Sequence, residues 1–149
     1  MLKARDIMTR KIHTVCADTS VEELARKFIE TGVNAMPVLD DVGELFGVVT
    51  ETDLIAQDRP LHLPTVISLF DWVFYLESET RFKEQVQKLT ARKVSEICTR
   101  EVTTCSEDTP VAEIASLMVE NRVHMLPVVD GKRLLGVVAR LDIIRSMGT

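Results

Sequence analysis

An aspartate recurs in the same setting at two places in the chain. Gly47–Ile55 reads GVVTETDLI and Gly136–Ile144 reads GVVARLDII, so Asp53 and Asp142 each follow an apolar run that ends where a helix is expected to begin. A carboxylate at such a corner can accept hydrogen bonds from a pair of ligand hydroxyl groups, and the free N–H groups of a helix start favour an anion. The same carboxylate can also cap its own helix. The sequence leaves both roles open at this point.

The two nonapeptides belong to a longer internal repeat. Asp6–Asp40 aligns with Glu96–Asp130 without a gap, and one residue is then deleted before the nonapeptides align. Self-similarity of this kind indicates a duplicated structural unit. The chain has 149 residues, and half of it alone would bury too little surface to be stable. We therefore expect the two copies to fold as a pair.

Each copy predicts the element order β-α-β-β-α. The first strand is expected at Ile12–Val15 and at Val102–Cys105, which are rich in β-branched residues. A helix follows, because Thr19 precedes Glu22 at capping-box spacing and Pro110 suits the first helical position in the second copy. A hairpin and a second helix complete each copy. The hairpin strands are expected at Met36–Leu39 with Leu45–Val49, and at Leu126–Val129 with Leu134–Val138.

The first helix of each copy carries one apolar face. Apolar residues recur at i, i+3, i+4, i+7 and i+8, the spacing of a helix that packs on a core. In the first copy they are Val21, Leu24, Ala25, Phe28 and Ile29. In the second copy they are Val111, Ile114, Ala115, Met118 and Val119.

These features together resemble the CBS domain. The residues that carry the resemblance are DIMT at Asp6–Thr9, MPVLD at Met36–Asp40, LPVVD at Leu126–Asp130 and the two nonapeptides. CBS domains usually occur in tandem, as the repeat does here. The resemblance implies an α+β fold in which two β-α-β-β-α CBS units pack pseudo-symmetrically with their sheets face to face.

The region between the copies is predicted to be a helical insert. The expected domains are a first CBS unit at residues 1–58, the insert at 59–93 and a second CBS unit at 94–149. The insert begins with an apolar segment, LPTVISLFDWVFYLES, which we expect to pack over one edge of the pair and to contribute to a subunit contact. The alternative, that it covers only its own chain, stays open. Tandem CBS modules commonly form flat dimers, so the resemblance implies a homodimer.

The resemblance also implies two clefts between the units, with an adenosine compound such as AMP, ADP, ATP or S-adenosylmethionine as the usual ligand. In the first cleft, Asp53 is expected to face the ribose, with the hydroxyl groups of Thr50 and Thr52 as further contacts. The second copy is expected to supply the surface for the base. Its residues are Thr103, Val123, His124 and Met125, of which His124 is also a candidate phosphate contact.

The second cleft is expected to be the weaker site. Asp142 can still face a ribose there, but Ala139 and Leu141 replace the two threonines, so two polar contacts are lost. Lys11 and Arg140, which the sequence assigns to neither cleft in particular, are candidates for neutralising phosphate, although such charges more often only face solvent. The base of a ligand in this cleft is expected against His13, Val33, Asn34 and Ala35.

Composition and the motif search argue against several other functions. The formal net charge of −5 argues against nucleic-acid binding, and no apolar run reaches the roughly 18 residues of a membrane span. The N-terminus has no apolar signal-peptide core, and three cysteines without a CxxC pattern indicate free thiols, so we expect a cytoplasmic protein. No P-loop, HExxH, GxSxG or metal-ligand spacing occurs, so we expect no enzyme, no catalytic residue, no metal and no required cofactor.

The sequence therefore predicts a regulatory module that binds an adenosine-containing ligand between its two CBS units. Ligand binding would change the conformation or the oligomeric state, and the dimer itself or an unidentified effector protein would respond. The alternative is a structural or adaptor module that dimerises with empty clefts. Which adenosine compound binds, and whether one or both clefts bind it, stays open.

Overall fold

The computed structural model describes residues 1–56 and 92–148. Of the predicted insert, only Arg92 and Lys93 fall within the described residues. The predicted apolar helix and its proposed subunit contact lie outside them.

The two copies form the same succession of elements, except that an isolated bridge at Cys105 replaces the first strand in the second copy. The first copy consists of α1 (Ala4–Ile7), β1 (Val15–Cys16), α2 (Val21–Thr31), β2 (Ala35–Leu39), β3 (Leu45–Thr50) and α3 (Glu51–Ala56). The second consists of α4 (Val94–Ile97), α5 (Val111–Asn121), β4 (Met125–Asp130), β5 (Arg133–Ala139) and α6 (Arg140–Met147). The predicted mixed α+β fold is therefore confirmed, with one short helix before each β-α-β-β-α unit.

An antiparallel hairpin is the centre of each copy. β2 pairs with β3 and β4 pairs with β5, and each hairpin has a register shift opposite its glycine, where Val38 faces Gly47 and Val128 faces Gly136. β1 adds to β2 in parallel, and Cys105 makes the equivalent parallel bridge to Val128. The predicted first strands were longer than the paired ones, because regular pairing begins only at Val15 and at Cys105.

Both predicted helix starts shift by one residue. Ser20, rather than Thr19, caps α2: its Oγ accepts a hydrogen bond from the Glu23 N–H at 3.1 Å. Pro110 is the residue before α5 rather than its first helical residue. The helix α2 ends at a left-handed glycine, since Gly32 has φ +71° and donates its N–H to the Phe28 carbonyl.

The buried faces of the two long helices are narrower than predicted. Leu24 and Phe28 of α2 are buried, as are Ile114 and Met118 of α5. The last residue of each predicted face points to solvent: Ile29 is 82% exposed and Val119 is 78% exposed. Only the i+3 and i+7 positions of each predicted face reach deep into the core.

The lead segments of the two copies, residues 3–9 and 93–99, are exchanged. Ala4 is fully buried in the core of the second copy with Ile114 and Leu126, and Val94 is fully buried in the core of the first copy with Leu24 and Met36. Each core is therefore completed by a residue from the other copy. The packing units cross the boundaries that the repeat suggests.

Backbone hydrogen bonds fix this exchange at each nonapeptide. Thr9 pairs with Val137, at N···O distances of 2.8 and 3.0 Å, and Thr99 pairs with Val48 at 2.9 and 3.0 Å. The lead segment of one copy thus lies directly over the glycine of the other. A Cβ at Gly47 would lie 2.5 Å from the Thr99 carbonyl oxygen, so the absence of a side chain is what allows the close approach.

Candidate functional site

Asp53 sits at the corner where β3 turns into α3. Its Oδ2 accepts a hydrogen bond from the Thr50 N–H at 2.9 Å, and the Asp53 N–H donates to the Thr50 Oγ1 at 3.2 Å. The carboxylate therefore caps its own helix, which is one of the two roles that the sequence left open, the other being contact with ligand hydroxyl groups. A carboxylate offers about four lone-pair sites, of which this cap uses one.

The Asp53 corner opens into a cavity of about 750 Å³, the first cavity. This volume lies within the usual range for small-molecule sites. The near wall contains Thr50, Thr52 and Asp53, and the opposite wall comes from the second copy. The predicted residues found on that opposite wall are Thr103, Val123, His124 and Met125. All seven residues assigned to the first cleft therefore surround one space, in agreement with the predicted placement.

A second cavity of about 500 Å³ lies on the other side of the shared wall. The predicted residues His13, Val33, Asn34 and Ala35 line it, as does Lys11. Asn34 and Ala35 also line the first cavity. The four residues assigned to the base of a second ligand are thus brought together.

Asp142, for which a ribose contact was predicted, is not among the described residues that line the second cavity. Its Oδ2 accepts the Ala139 N–H at 2.8 Å, and its Oδ1 lies 3.4 Å from the Thr9 Oγ1 and 3.7 Å from the Arg145 guanidinium. The side chain is only 9% exposed. The exchanged lead segment supplies Thr9, which itself lines the second cavity.

Four charged residues of the first cavity were not assigned to it from the sequence. Glu101, Arg122 and Arg140 line it together with Glu51. Arg122 has a left-handed backbone, with φ +53°, because it ends α5 where Gly32 ends α2. The alignment of Arg122 with Gly32 was a signal for the conformation, but not for the cavity.

The thiol of Cys98 lies beside the same corner. Burial raises the pKa of this thiol, the Arg100 guanidinium lowers it, and the Asp53 carboxylate raises it again. The net pKa is above the ordinary value. The thiol is therefore protonated near neutral pH and is a poor nucleophile.

Two searches of residues 1–56 and 92–148 gave negative results. No group of three His, Cys, Asp or Glu residues in these ranges has the geometry to hold a metal ion. No helix in the same ranges has both the length and the apolar character needed to cross a bilayer.

Comparisons with known proteins place this arrangement in a family. The family model for the CBS domain matches residues 4–59 and 94–149. The chain is 30% identical over 151 residues to the uncharacterized protein MJ1426 of Methanocaldococcus jannaschii, with 96% of this chain and 89% of that protein covered. The chain therefore belongs to the CBS domain family, and it carries two copies of the domain.

Two solved structures extend the comparison to ligand-bound relatives. The structure of CBSX2 in complex with AMP has a TM-score of 0.76 at 26% identity and covers 99% of this chain and 96% of that one. The CBS domain pair of protein MJ0100, in complex with 5′-methylthioadenosine and S-adenosyl-L-methionine, has a TM-score of 0.72 at 27% identity and covers 99% and 97%. This chain is thus similar throughout its length to CBS pairs that bind adenosine compounds.

Proposed function

We propose that this protein is a regulatory CBS pair that binds an adenosine-containing ligand in the first cavity. The observation that carries the proposal is the position of Asp53, with Thr50 and Thr52, opposite the apolar and polar residues of the second copy in one cavity. Two similar CBS pairs hold AMP, or 5′-methylthioadenosine and S-adenosyl-L-methionine. AMP, ADP, ATP and S-adenosylmethionine are the candidate ligands, and no further cofactor is required.

The Asp53 carboxylate would accept hydrogen bonds from the 2′- and 3′-hydroxyl groups of the ribose. Thr50 and Thr52 add hydroxyl groups on the same wall, while Val123 and Met125 offer an apolar surface for the adenine. Arg122, Arg140 and His124 would lie near a phosphate. Both copies contribute to one cavity, so a bound ligand would stabilise one arrangement of the pair over another.

The signal would be a change of conformation or of oligomeric state. Its size is limited to the difference in ligand affinity between the two states. A homodimer, an unidentified effector protein and a cytoplasmic location are parts of the same proposal. The apolar residues left exposed on α6, such as Leu141, Ile144 and Met147, support the homodimer.

A second candidate function, that of an adaptor with an empty cleft, applies to the second cavity. It is favoured by the Asp142 carboxylate, which is buried against Thr9 and Arg145 rather than exposed to the second cavity. This observation concerns the second cavity alone. The first cavity keeps a complete set of the predicted residues.

Calorimetric and thermal-shift titrations with AMP, ADP, ATP and S-adenosylmethionine test the proposal. A ligand that binds the folded state raises the apparent melting temperature by mass action. Asp53→Asn keeps an acceptor for the helix cap but removes the charge, so it should weaken binding by about tenfold or more. Asp142→Asn is the matched control and should leave the affinity of the first cavity unchanged. A folded protein that binds none of the four ligands, or equal losses in the two variants, would contradict this assignment.

A further inference from the structure

The two cavities share a wall, and Arg140 is the charged residue of that wall. The side chains and backbone that line both cavities belong to Asn34, Ala35, His124, Met125 and Arg140. The Arg140 N–H donates to the His124 carbonyl at 3.2 Å, which fixes the start of α6 beside the start of β4. Within residues 1–56 and 92–148, no carboxylate lies within ion-pairing distance of the Arg140 guanidinium. The guanidinium is available to a ligand on either side.

The charges that line the two cavities differ. The first cavity has three carboxylates, on Glu51, Asp53 and Glu101, besides its arginines. The second cavity is lined by Lys11 and Arg140, and no carboxylate occurs among its described lining residues. Asp142, the one carboxylate that the repeat would place there, is bound to Thr9 and Arg145 instead. The described lining of the second cavity therefore offers positive charge but no carboxylate to accept hydrogen bonds from a ribose.

We propose that the second cavity binds a compact phosphate-type anion, and that this anion opposes a phosphorylated adenosine ligand in the first cavity by competing for Arg140. The claim that the anion opposes a nucleotide rests on the proposed function. The claim that Lys11 and Arg140 hold an anion in the second cavity does not depend on it. The repeat predicted two versions of one nucleoside site, whereas the structure distinguishes a nucleoside cavity from an anion cavity.

The opposition follows from the geometry of a guanidinium. Arginine binds a phosphate best through two parallel N–H donors, and this fork points in one direction at a time. An anion in the second cavity draws the fork of Arg140 to its own side, so a phosphate in the first cavity loses that contact. Repulsion between the two anions across the shared wall acts in the same sense. The effect is reciprocal, because coupling between two binding equilibria is the same in both directions.

Each cavity also has a cation of its own, which makes the proposal separable by mutation. Lys11 lines only the second cavity, and Arg122 lines only the first. Lys11→Gln should therefore affect the anion alone. Arg122→Asn, in which asparagine tolerates the left-handed backbone, should affect the phosphorylated nucleotide alone. Arg140→Gln should affect both.

The test is a set of calorimetric titrations of the full chain at constant ionic strength and without divalent cations, with pyrophosphate as the anion. Pyrophosphate should bind the parent protein, and Lys11→Gln and Arg140→Gln should each weaken it about tenfold, whereas Arg122→Asn should not. Pyrophosphate should raise the apparent Kd of AMP about tenfold and leave that of uncharged adenosine unchanged. In Lys11→Gln and in Arg140→Gln, most of this effect on AMP should be lost.

Three results would overturn the proposal. Pyrophosphate that does not bind the parent protein removes the anion cavity. Pyrophosphate that weakens AMP equally in the parent and in Lys11→Gln competes directly in the first cavity. If Lys11→Gln weakens ATP while free pyrophosphate does not bind, the nucleotide's own distal phosphates fill the second cavity. Failure of the proposed function would be seen separately, as absence of AMP and adenosine binding without any pyrophosphate present.

Discussion

The close approach of the exchanged lead segment at Gly47 predicts that Gly47→Ala destabilises the whole molecule. The added Cβ would lie 2.5 Å from the Thr99 carbonyl oxygen and 3.1 Å from the Cys98 Sγ. Gly47 is not among the glycines with positive φ, so space rather than backbone conformation decides the effect. A carbonyl oxygen cannot rotate away as the end of a flexible side chain can. The lead segment at residues 93–99 must move as a body.

The magnitude follows from what this movement breaks. The two hydrogen bonds between Val48 and Thr99 contribute about 1 kcal/mol each. Crowding in the adjacent core, which Val94 completes, costs about 1–3 kcal/mol. The lower chain entropy of alanine in the unfolded state offsets about 0.5–1 kcal/mol of this. We expect the free energy of unfolding to fall by about 2–4 kcal/mol.

Urea denaturation of the variant measures this change, and a second alanine substitution serves as the matched control. A Cβ at Gly148 would lie 3.6 Å from the Arg145 carbonyl oxygen, an ordinary contact, so Gly148→Ala should change the free energy of unfolding little. AMP affinity is a second measurement, because Thr99 and Thr103 both line the first cavity. Gly47→Ala should weaken AMP even in the fraction that stays folded.

Equal free energies of unfolding for the parent, Gly47→Ala and Gly148→Ala would refute the reasoning. Such a result would mean that the lead segment does not lie against β3 as described. A large loss of stability with unchanged AMP affinity would refute only the link between the lead segment and the first cavity.

Three further predictions concern single side chains. Burial raises the pKa of the Cys105 thiol from an ordinary 9.0 to about 11, and the Glu113 carboxylate contributes to the same shift. The shift corresponds to about 2–3 kcal/mol of folding stability, which is present below pH 9 and is lost as the pH rises from about 9 to about 11. Cys105→Val should make the alkaline fall in unfolding free energy shallower, and an unchanged pH profile would contradict the pKa. Ile144 of α6 is 59% exposed, and Ile144→Lys should convert a dimer into a monomer in sedimentation. The control Val42→Lys, in the first hairpin turn, should leave the dimer intact. A dimer in both variants would exclude α6 from the interface. The Arg100 guanidinium lies 3.5 Å from the centroid of the Phe46 ring, and its Nε donates a hydrogen bond to the Phe46 carbonyl. Arg100→Ala should therefore lower the free energy of unfolding, measured in urea, by about 1 kcal/mol. An unchanged free energy of unfolding would show that solvent replaces both contacts.

Much of the fold and of the first cavity was predictable because the repeat itself carries the information. The shared corner of strand, glycine and aspartate pointed to Asp53, and the resemblance to the CBS domain implied Thr103 and Val123 on the opposite wall, where they line the same cavity. Hydrophobic spacing located both long helices. It did not identify Ile29 as exposed, because periodicity gives the direction of a face but not the depth of the core beneath it.

The orientation of Asp142 could not be predicted, since it depends on a residue 133 positions away along the chain. The two nonapeptides are nearly the same locally, and both aspartates cap a helix through their Oδ2. The second carboxylate differs in that its Oδ1 lies 3.4 Å from the Thr9 Oγ1, which the exchanged lead segment brings in. The sequence pattern within one copy does not indicate whether its lead segment packs on the same copy or on the other one.

The exchange also constrains how the two halves of this duplicated gene could have diverged. A substitution at Ala4 alters the interior of the opposite half, and one at Val94 does the same in return. Neither half could therefore accumulate changes in its interior independently of the other. A single half transferred into another protein would lack the lead-segment residues that complete its core.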